Sequence, residues 1–218
     1  MHYQGKDPRP ASPLQGEGRY LILASASPRR LQLLQQIGIT PDQVVPAEID
    51  ETPKKLEVPL DYVRRMAREK AVRVAAHHTD ALVMAADTVV ACGRRILPKA
   101  ETEKQARECL TLLSGRRHRV LTAVALSPPH IPPVSGGDAR AGIILRTVVT
   151  QVKFSRLSKA DMNRYIESGE WQGKAGGYAI QGRAEAFIPW ISGSYSNVVG
   201  LPLAETAAML KSCGYYHT

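Results

Sequence analysis

The segment Ser25-Ala-Ser-Pro-Arg-Arg30 combines a helix start with two arginines. It follows Tyr20–Ala24, a short apolar run typical of a strand buried on both faces of a sheet. Ser27 as N-cap and Pro28 at the first helical position predict that the strand turns directly into a helix. Helix N-termini attract anions and guanidinium groups match phosphate oxygens, so the segment predicts a phosphate site. The alternative is an ordinary helix start with a solvated basic face. The candidate phosphate-binding residues are Ser25, Ser27, Arg29 and Arg30.

Acidic residues form the second group. Asp87 interrupts the apolar run Leu82–Val90, where an unpaired carboxylate is costly, so it requires a metal, a cation or water as its partner. Glu48, Asp50 and Glu51 stand close together in a polar segment. Carboxylates from two segments can hold Mg²⁺ or Mn²⁺ against the phosphates of a substrate, with one of them acting as a base towards water. For the three loop acids alone, their spacing favours a solvated turn.

Three lysines stand singly in apolar or glycine-rich surroundings. Lys70 falls on the apolar face of a predicted helix, where it either joins a site or extends its amine to water. Lys99 follows an apolar pair, and Lys174 lies within Gly173–Gly177. Each is a weak signal alone, but together with the arginines and acids they suit a triphosphate with its metal.

Polar groups and glycines recur between Gly169 and Leu203. Gln181 can donate and accept hydrogen bonds at once, as recognition of a base edge requires. Glycines allow a backbone to approach a ligand closely, although tight turns explain them equally well. His118 has no visible partner, which favours a structural hydrogen-bonding role. Ser25 and Ser27 lack the Gly-x-Ser-x-Gly setting, which argues against serine hydrolase chemistry.

The elements that must position these residues alternate between strands and helices. Periodicity and capping signals predict helices over 28–37, 60–76, 102–113, 158–168 and 203–212. Apolar runs and alternation predict strands over 20–24, 81–90, 119–126 and 143–154. Residues 1–18 are predicted to be a loose tail before one two-lobed domain over 19–218. Residues 127–142, with four prolines and three glycines, are predicted to be a hairpin loop.

Composition excludes several classes of protein. The chain has 218 residues, 44% hydrophobic and 22% charged, which excludes a fibrous or wholly disordered protein. Three widely spaced cysteines argue against a disulfide framework and a zinc site, and the lack of a long apolar run argues against a membrane span, so we expect a cytoplasmic protein. The net charge of +9 permits nucleic acid, lipid or a small polyanion as a partner. Because the basic residues do not form one block, a compact anion site is favoured.

Eight motifs occur in order between Tyr20 and Leu210, and together they resemble the Maf family of nucleoside triphosphate pyrophosphatases, also called septum formation inhibitor-like proteins. The motifs are Ser25–Arg30, Ile49–Thr52, Ala67–Ala71, Ala86–Val90, Ile96–Lys99, Ser114–Thr122, Lys174–Gly182 and Gly193–Pro202. The resemblance implies an α/β, two-lobed fold of the Maf/ITPase-like kind, with a curved mixed sheet flanked by helices, a central cleft and often a homodimer.

The resemblance also implies a reaction, in which a divalent metal, Mg²⁺ or Mn²⁺, assists hydrolysis of a nucleoside triphosphate to the monophosphate and pyrophosphate. By position, Asp87 matches the general base or metal-organising acid of the family. The positions linked to base selectivity are Arg29, Thr88 and Gln181, and the other polar site positions are Asp50, Glu51, Lys70 and Lys99. Asp50, Glu51 and Asp87 are the expected metal ligands.

The Arg29-Arg30 pair and the Gly177–Gly182 segment resemble the subgroup that acts on dTTP and UTP. We therefore expect a pyrophosphatase for dTTP, UTP or modified pyrimidine nucleotides, with neither a membrane nor a nucleic acid as partner. The competing hypothesis is a non-catalytic regulator of cell division that binds nucleotides or nucleic acid, which the positive charge permits.

Overall fold

The computed structural model describes residues 20–129 and 142–215. Two expectations concern residues outside these ranges, namely the tail over 1–18 and most of the loop predicted over 127–142. The strands on either side of that loop pair antiparallel, with Leu126 opposite Ile144, as a hairpin requires.

The described elements follow the predicted order. The helices are α1 (Pro28–Gln36), α2 (Pro59–Ala75), α3 (Glu103–Leu113), α4 (Lys159–Glu167), α5 (Tyr195–Val199) and α6 (Leu203–Ser212). The strands are β1 (Leu21–Leu23), β2 (Gln43–Val44), β3 (Leu82–Cys92), β4 (Arg95–Leu97), β5 (Lys99–Ala100), β6 (Arg117–Ser127), β7 (Ile144–Lys153), β8 (Lys174–Ala175) and β9 (Trp190–Ser192). Each predicted element is present, with its bounds shifted by no more than two residues. The elements that sequence reasoning missed are five residues or shorter, too short to show a period.

Local signals explain where the helices begin. Helices α1 and α2 both start at a proline, whose missing N–H is not needed in the first turn. Thr102 and Ser158 each form a reciprocal capping box at the start of α3 and α4. None of the helices in the described ranges is both long enough and apolar enough to cross a membrane.

A mixed seven-stranded sheet organises the chain. Its order is β2-β1-β3-β6-β7-β9, with β4 paired to β3; β1 runs parallel to β2 and β3, and the other pairs are antiparallel. Alternate residues of β3 point to opposite faces. Val83 packs on the α2 side, whereas Met84 packs against the core that contains residues of α1, α3 and α6. Helices therefore flank both faces, which confirms the predicted mixed α/β class.

The unequal lengths of β1 and β3 create the site. β1 ends with Leu23 opposite Met84, whereas β3 continues to Cys92 and meets β4 only from Val90 onward. Between these points the edge of β3 borders a cavity. The other wall carries the small sheet in which β5 pairs with β8, placing Lys99 opposite Ala175.

Candidate active site

A cavity of about 440 Å³ lies beyond the end of β1. This volume is within the range of small-molecule sites in proteins. Segments that are far apart in the sequence converge on it, and every predicted site residue lines it except Asp50. The predicted residues that line it are Ser25, Ser27, Arg29, Arg30, Glu51, Lys70, Asp87, Thr88, Lys99, Lys174 and Gln181.

Two carboxylates in the cavity share one lysine. The Nζ atom of Lys70 lies 2.7 Å from Oε1 of Glu51 and 2.7 Å from Oδ1 of Asp87. Lys70 and Asp87 are only 7% and 4% exposed. Lys99 contacts the second carboxylate oxygen of Glu51. Lys70 therefore does not extend its amine to bulk water but joins the acid from the loop to the acid from β3.

The protein holds Glu51 in its ionised form. Partial burial opposes ionisation, but hydrogen bonds from Lys70 and Lys99 outweigh it and lower the pKa of Glu51 to about 2. The hydroxyl of Tyr62 donates to the backbone carbonyl of Glu51 over 2.8 Å and so fixes this loop against α2. Burial, followed by the charges of Asp87 and Glu51, raises the pKa of Tyr62, which keeps that hydroxyl protonated.

Asp50 lies outside this group. Its side chain is exposed, and its Oδ1 accepts a hydrogen bond from the backbone N–H of Thr52 at 2.9 Å. That local bond lowers the pKa of Asp50. The structure thus gives Asp50 the solvated-turn role that spacing favoured and does not bring it to the expected metal ligands, whereas its neighbour Glu51 faces the cavity.

The two arginines of α1 differ in their environments. Arg30 donates from Nε to the carbonyl of Gly200 at 3.0 Å, from Nη1 to Ser25 Oγ at 3.0 Å and from Nη2 to Thr88 Oγ1 at 3.1 Å. Burial lowers its pKa, while the charge of Asp87 opposes that effect. Its guanidinium is thus held within the cavity wall, and its phosphate-binding role stays a prediction from the sequence.

Arg29 and Lys174 provide the available positive charge. The guanidinium of Arg29 makes no hydrogen bond or ion pair with any residue in the described ranges, and burial lowers its pKa. Lys174 donates to the carbonyl of Gln172 at 3.1 Å, and burial and then the charge of Arg29 lower its pKa. The hydroxyl of Ser27 makes no capping hydrogen bond at the start of α1. These groups face a common space in which an anion would relieve their mutual repulsion.

The glycine-rich segment closes the cavity next to Gln181. Gly176 has a φ of +67°, and a Cβ placed there would lie 2.9 Å from Cβ of Val90, so only glycine fits without a shift. Tyr178 also lines the cavity, and its hydroxyl lies 2.8 Å from Nε2 of His118. This contact gives His118 the structural hydrogen-bonding role expected of it.

Sequence reasoning missed Tyr62 and Tyr178, which hold the two walls of the cavity. Tyr62 occupies the apolar face of α2 and Tyr178 lies within a glycine-rich run, so neither stands out by spacing. The only signal was the motif Lys174–Gly182, which contains Tyr178 without indicating what it contacts.

The donor set fits a magnesium-like ion shared with a substrate. Within the described ranges no group of three or more His, Cys, Asp and Glu side chains could hold a metal. Glu51 and Asp87 supply a pair of carboxylates at one point. Mg²⁺ commonly binds through one or two carboxylates, completing its shell with water and substrate phosphates. The site therefore suits a cation that arrives with a phosphate ligand.

Comparison with known proteins identifies the family. The family model described as "Maf-like protein" matches residues 20–213, which include every residue of the cavity. The chain belongs to the Maf family. A relative from Zymomonas mobilis, named dTTP/UTP pyrophosphatase, is 58% identical over 195 residues, covering 89% of this chain and 92% of the relative. A relative of the same name from Rhodospirillum rubrum is 54% identical over 211 residues, covering 97% of this chain and 92% of the relative.

Among solved structures, this Maf-family chain is similar to a HAM1 protein from Coxiella burnetii. The TM-score is 0.48 at 16% sequence identity, with 89% of this chain and 99% of the other chain covered.

Proposed function

We propose that this protein is a nucleoside triphosphate pyrophosphatase that acts on dTTP and UTP. Water attacks phosphorus, the anhydride bond between the α- and β-phosphates breaks, and the nucleoside monophosphate and pyrophosphate leave. The observation that carries the proposal is one cavity in which two carboxylates bridged by Lys70 lie beside the available cations Arg29 and Lys174. The relatives named dTTP/UTP pyrophosphatase support the choice of nucleotides.

The positive groups are assigned to the triphosphate. Arg29, Lys174 and the first turn of α1 surround the space that would receive its negative charge. Arg30 maintains the shape of this wall through its bonds to Ser25, Thr88 and Gly200. Lys99 completes the positive lining beside Glu51.

The acids are assigned to the metal and to water. Glu51 and Asp87 would hold Mg²⁺ or Mn²⁺, which would supply charge neutralisation and orient the phosphates. Asp87 orients the attacking water and accepts its proton, since its carboxylate is fixed at Oδ1 and faces the cavity. Lys70 compensates both carboxylates before substrate binds and holds them at a fixed separation.

The base is assigned to the remaining polar groups of the cavity. The carboxamide of Gln181 makes no hydrogen bond with a described residue and offers both a donor and an acceptor. Thr88 also lines the cavity, and its hydroxyl accepts a hydrogen bond from Arg30.

We also infer that the protein is a homodimer, which light scattering coupled to size-exclusion chromatography would test.

The deciding experiment incubates the purified protein with a panel of nucleoside triphosphates and Mg²⁺ or Mn²⁺ and identifies the products by chromatography. We expect monophosphate and pyrophosphate from dTTP and UTP. Asp87→Asn should remove nearly all turnover and remain folded by circular dichroism. Asp61→Asn, an exposed acid on α2 that lies outside the cavity, is the matched control and should retain activity.

Three other results of these experiments would each overturn a different part of the proposal. Turnover of 7-methyl-GTP in place of dTTP and UTP would keep the reaction and overturn the choice of base. Full activity in Asp87→Asn would remove Asp87 from the chemistry. Absence of hydrolysis, with nucleic-acid binding that falls steeply with salt, would favour the regulator hypothesis.

A further inference from the structure

A buried hydrogen-bond chain lies beneath the cavity. Thr122 on β6 stands directly opposite Thr88 on β3, and their hydroxyl oxygens are 3.0 Å apart. Thr122 is fully buried and does not line the cavity. Its hydroxyl also lies 3.0 Å from the backbone carbonyl oxygen of Asn197 in α5. Thr122 therefore connects a residue of the cavity wall to a helix behind it.

The donors in this chain have a defined direction. A threonine hydroxyl has one proton, and a carbonyl oxygen can only accept. Because Thr122 donates its proton to Asn197, it must accept in its contact with Thr88. The proton of Thr88 therefore points to Thr122, the nearer of its two acceptors, since the carbonyl oxygen of Gly200 lies 3.4 Å away. Thr88 in turn accepts from Nη2 of Arg30 at 3.1 Å.

Asn197 fixes the far end of the chain. Its Nδ2 donates to the carbonyl of Val120 at 3.1 Å and to Thr150 Oγ1 at 2.9 Å, and the residue is fully buried. Thr150 is itself engaged with both the N–H and the carbonyl of Ser194, the N-cap of α5. These bonds anchor α5 to the neighbouring strands β6 and β7.

The end of α5 returns to the arginine. Gly200 follows the last residue of α5, and its carbonyl accepts from Nε of Arg30 at 3.0 Å. Arg30, Thr88, Thr122 and α5 thus form a closed circuit of hydrogen bonds. Arg30, Thr88 and Gly200 line the cavity, whereas Thr122 takes part in the circuit without lining it.

We propose that Thr122 is a positioning residue for nucleotide recognition. It holds the Thr88 proton away from the cavity and thereby fixes the orientation of the Arg30 guanidinium. Towards a bound base, Thr88 then offers its one remaining lone pair, since Arg30 occupies the other, and a lone pair suits the ring N–H of uracil or thymine better than the corresponding bare nitrogen of cytosine. This inference rests on the proposed pyrophosphatase function.

The test compares Thr122→Val, which has nearly the same shape without the hydroxyl, with Thr122→Ser, which retains it. We expect Thr122→Val to raise KM for UTP by about three- to tenfold, the range of one lost hydrogen bond, while kcat changes less. The ratio of kcat/KM for UTP to that for CTP should fall because the Thr88 proton is no longer directed to Thr122, and the carbonyl of Gly200, at 3.4 Å, holds it more weakly against turning towards the base. Thr122→Ser should restore both values to within about twofold of the wild type.

A matched control separates positioning from simple destabilisation. Thr206 on α6 is also fully buried and donates to the carbonyl of Pro202 at 2.7 Å, away from the cavity. Thr206→Val should lower the melting temperature without changing KM or the UTP to CTP ratio. If Thr122→Val does not fold, Thr122→Ala removes the same hydroxyl without adding bulk, and the same kinetic changes are expected.

Three results would overturn the proposal. They are wild-type KM and nucleotide ratio in Thr122→Val, equal impairment in Thr122→Ser, and the same kinetic changes in Thr206→Val. A wild-type protein that hydrolyses no nucleotide would overturn the proposed function as well, whereas an active wild type with an unaffected Thr122→Val would overturn the positioning role alone.

Discussion

The ammonium nitrogen of Lys70 lies 2.7 Å from Oδ1 of Asp87, and both residues are more than nine-tenths buried. This pair explains why a lysine stands on the apolar face of α2. It also explains how β3 tolerates a carboxylate in the middle of the sheet, since a buried charge without a partner is strongly destabilising.

Replacing Lys70 by methionine should therefore affect both stability and activity. We expect Lys70→Met to lower the free energy of unfolding by about 3 kcal/mol, because Asp87 loses its buried partner. KM for the triphosphate should rise as well, because the two carboxylates lose their shared cation. Urea unfolding and steady-state kinetics measure the two effects.

Lys99→Met is the comparison for this change. Lys99 contacts Glu51 alone and has a half-exposed side chain, so its loss should be much less destabilising. Unchanged kcat and KM in Lys70→Met would mean that the lysine stabilises the fold without contributing to triphosphate binding.

Adjacent acids should differ in their effect on metal dependence. Glu51→Gln should raise the Mg²⁺ concentration required for half-maximal activity by at least about tenfold, because one of the two carboxylates of the site is lost. Asp50→Asn should change that concentration little, since Asp50 is exposed and lies outside the cavity. The measurement is a Mg²⁺ titration of UTP hydrolysis, and an equal shift in both variants would restore Asp50 to the metal ligands.

Two glycines of the segment Gly173–Gly177 allow the cost of backbone strain to be distinguished from the cost of a packing clash. Gly173 and Gly176 have similar positive φ values of +63° and +67°. A Cβ at Gly173 would meet nothing within 4 Å, whereas one at Gly176 would lie 2.9 Å from the side chain of Val90. Gly173→Ala should cost about 1 kcal/mol from the left-handed backbone alone, and Gly176→Ala should cost at least about 1 kcal/mol more. Urea unfolding measures the difference, and equal costs would show that the contact with Val90 does not matter.

Stability should depend on pH through His118. Burial lowers the pKa of His118 from its ordinary value of 6.5 to about 4. Between these pH values the unfolded chain binds more protons at His118 than the folded one. The contribution of His118 to the free energy of unfolding is therefore fully present above pH 6.5 and is lost as the pH falls towards 4. The contribution of this one residue is about 3 kcal/mol. Unfolding measured across this range should lose that part of its pH dependence in His118→Gln, and an unchanged slope would contradict the assignment.

Local patterns were sufficient for the main helices and strands. Prolines and capping boxes set the starts of α1 to α4, because a helix N-terminus is decided by the few residues around it. Short elements such as β5 and β8 were not predicted, because two residues form a strand only when a distant segment pairs with them. Their pairing nonetheless holds Lys99 and the segment of Lys174 at one wall.

The sequence by itself determined which residue types and motifs form the site, since eight ordered motifs identify the family and contain most of the residues that line the cavity. It did not determine how neighbouring residues divide their roles. Arg30 is held by Ser25, Thr88 and Gly200 while Arg29 faces the cavity, and Glu51 meets Lys70 while Asp50 bonds its own turn. The physical reason is that the partners of each side chain come from elements far away in the sequence, so only the folded backbone decides which of two adjacent side chains reaches them.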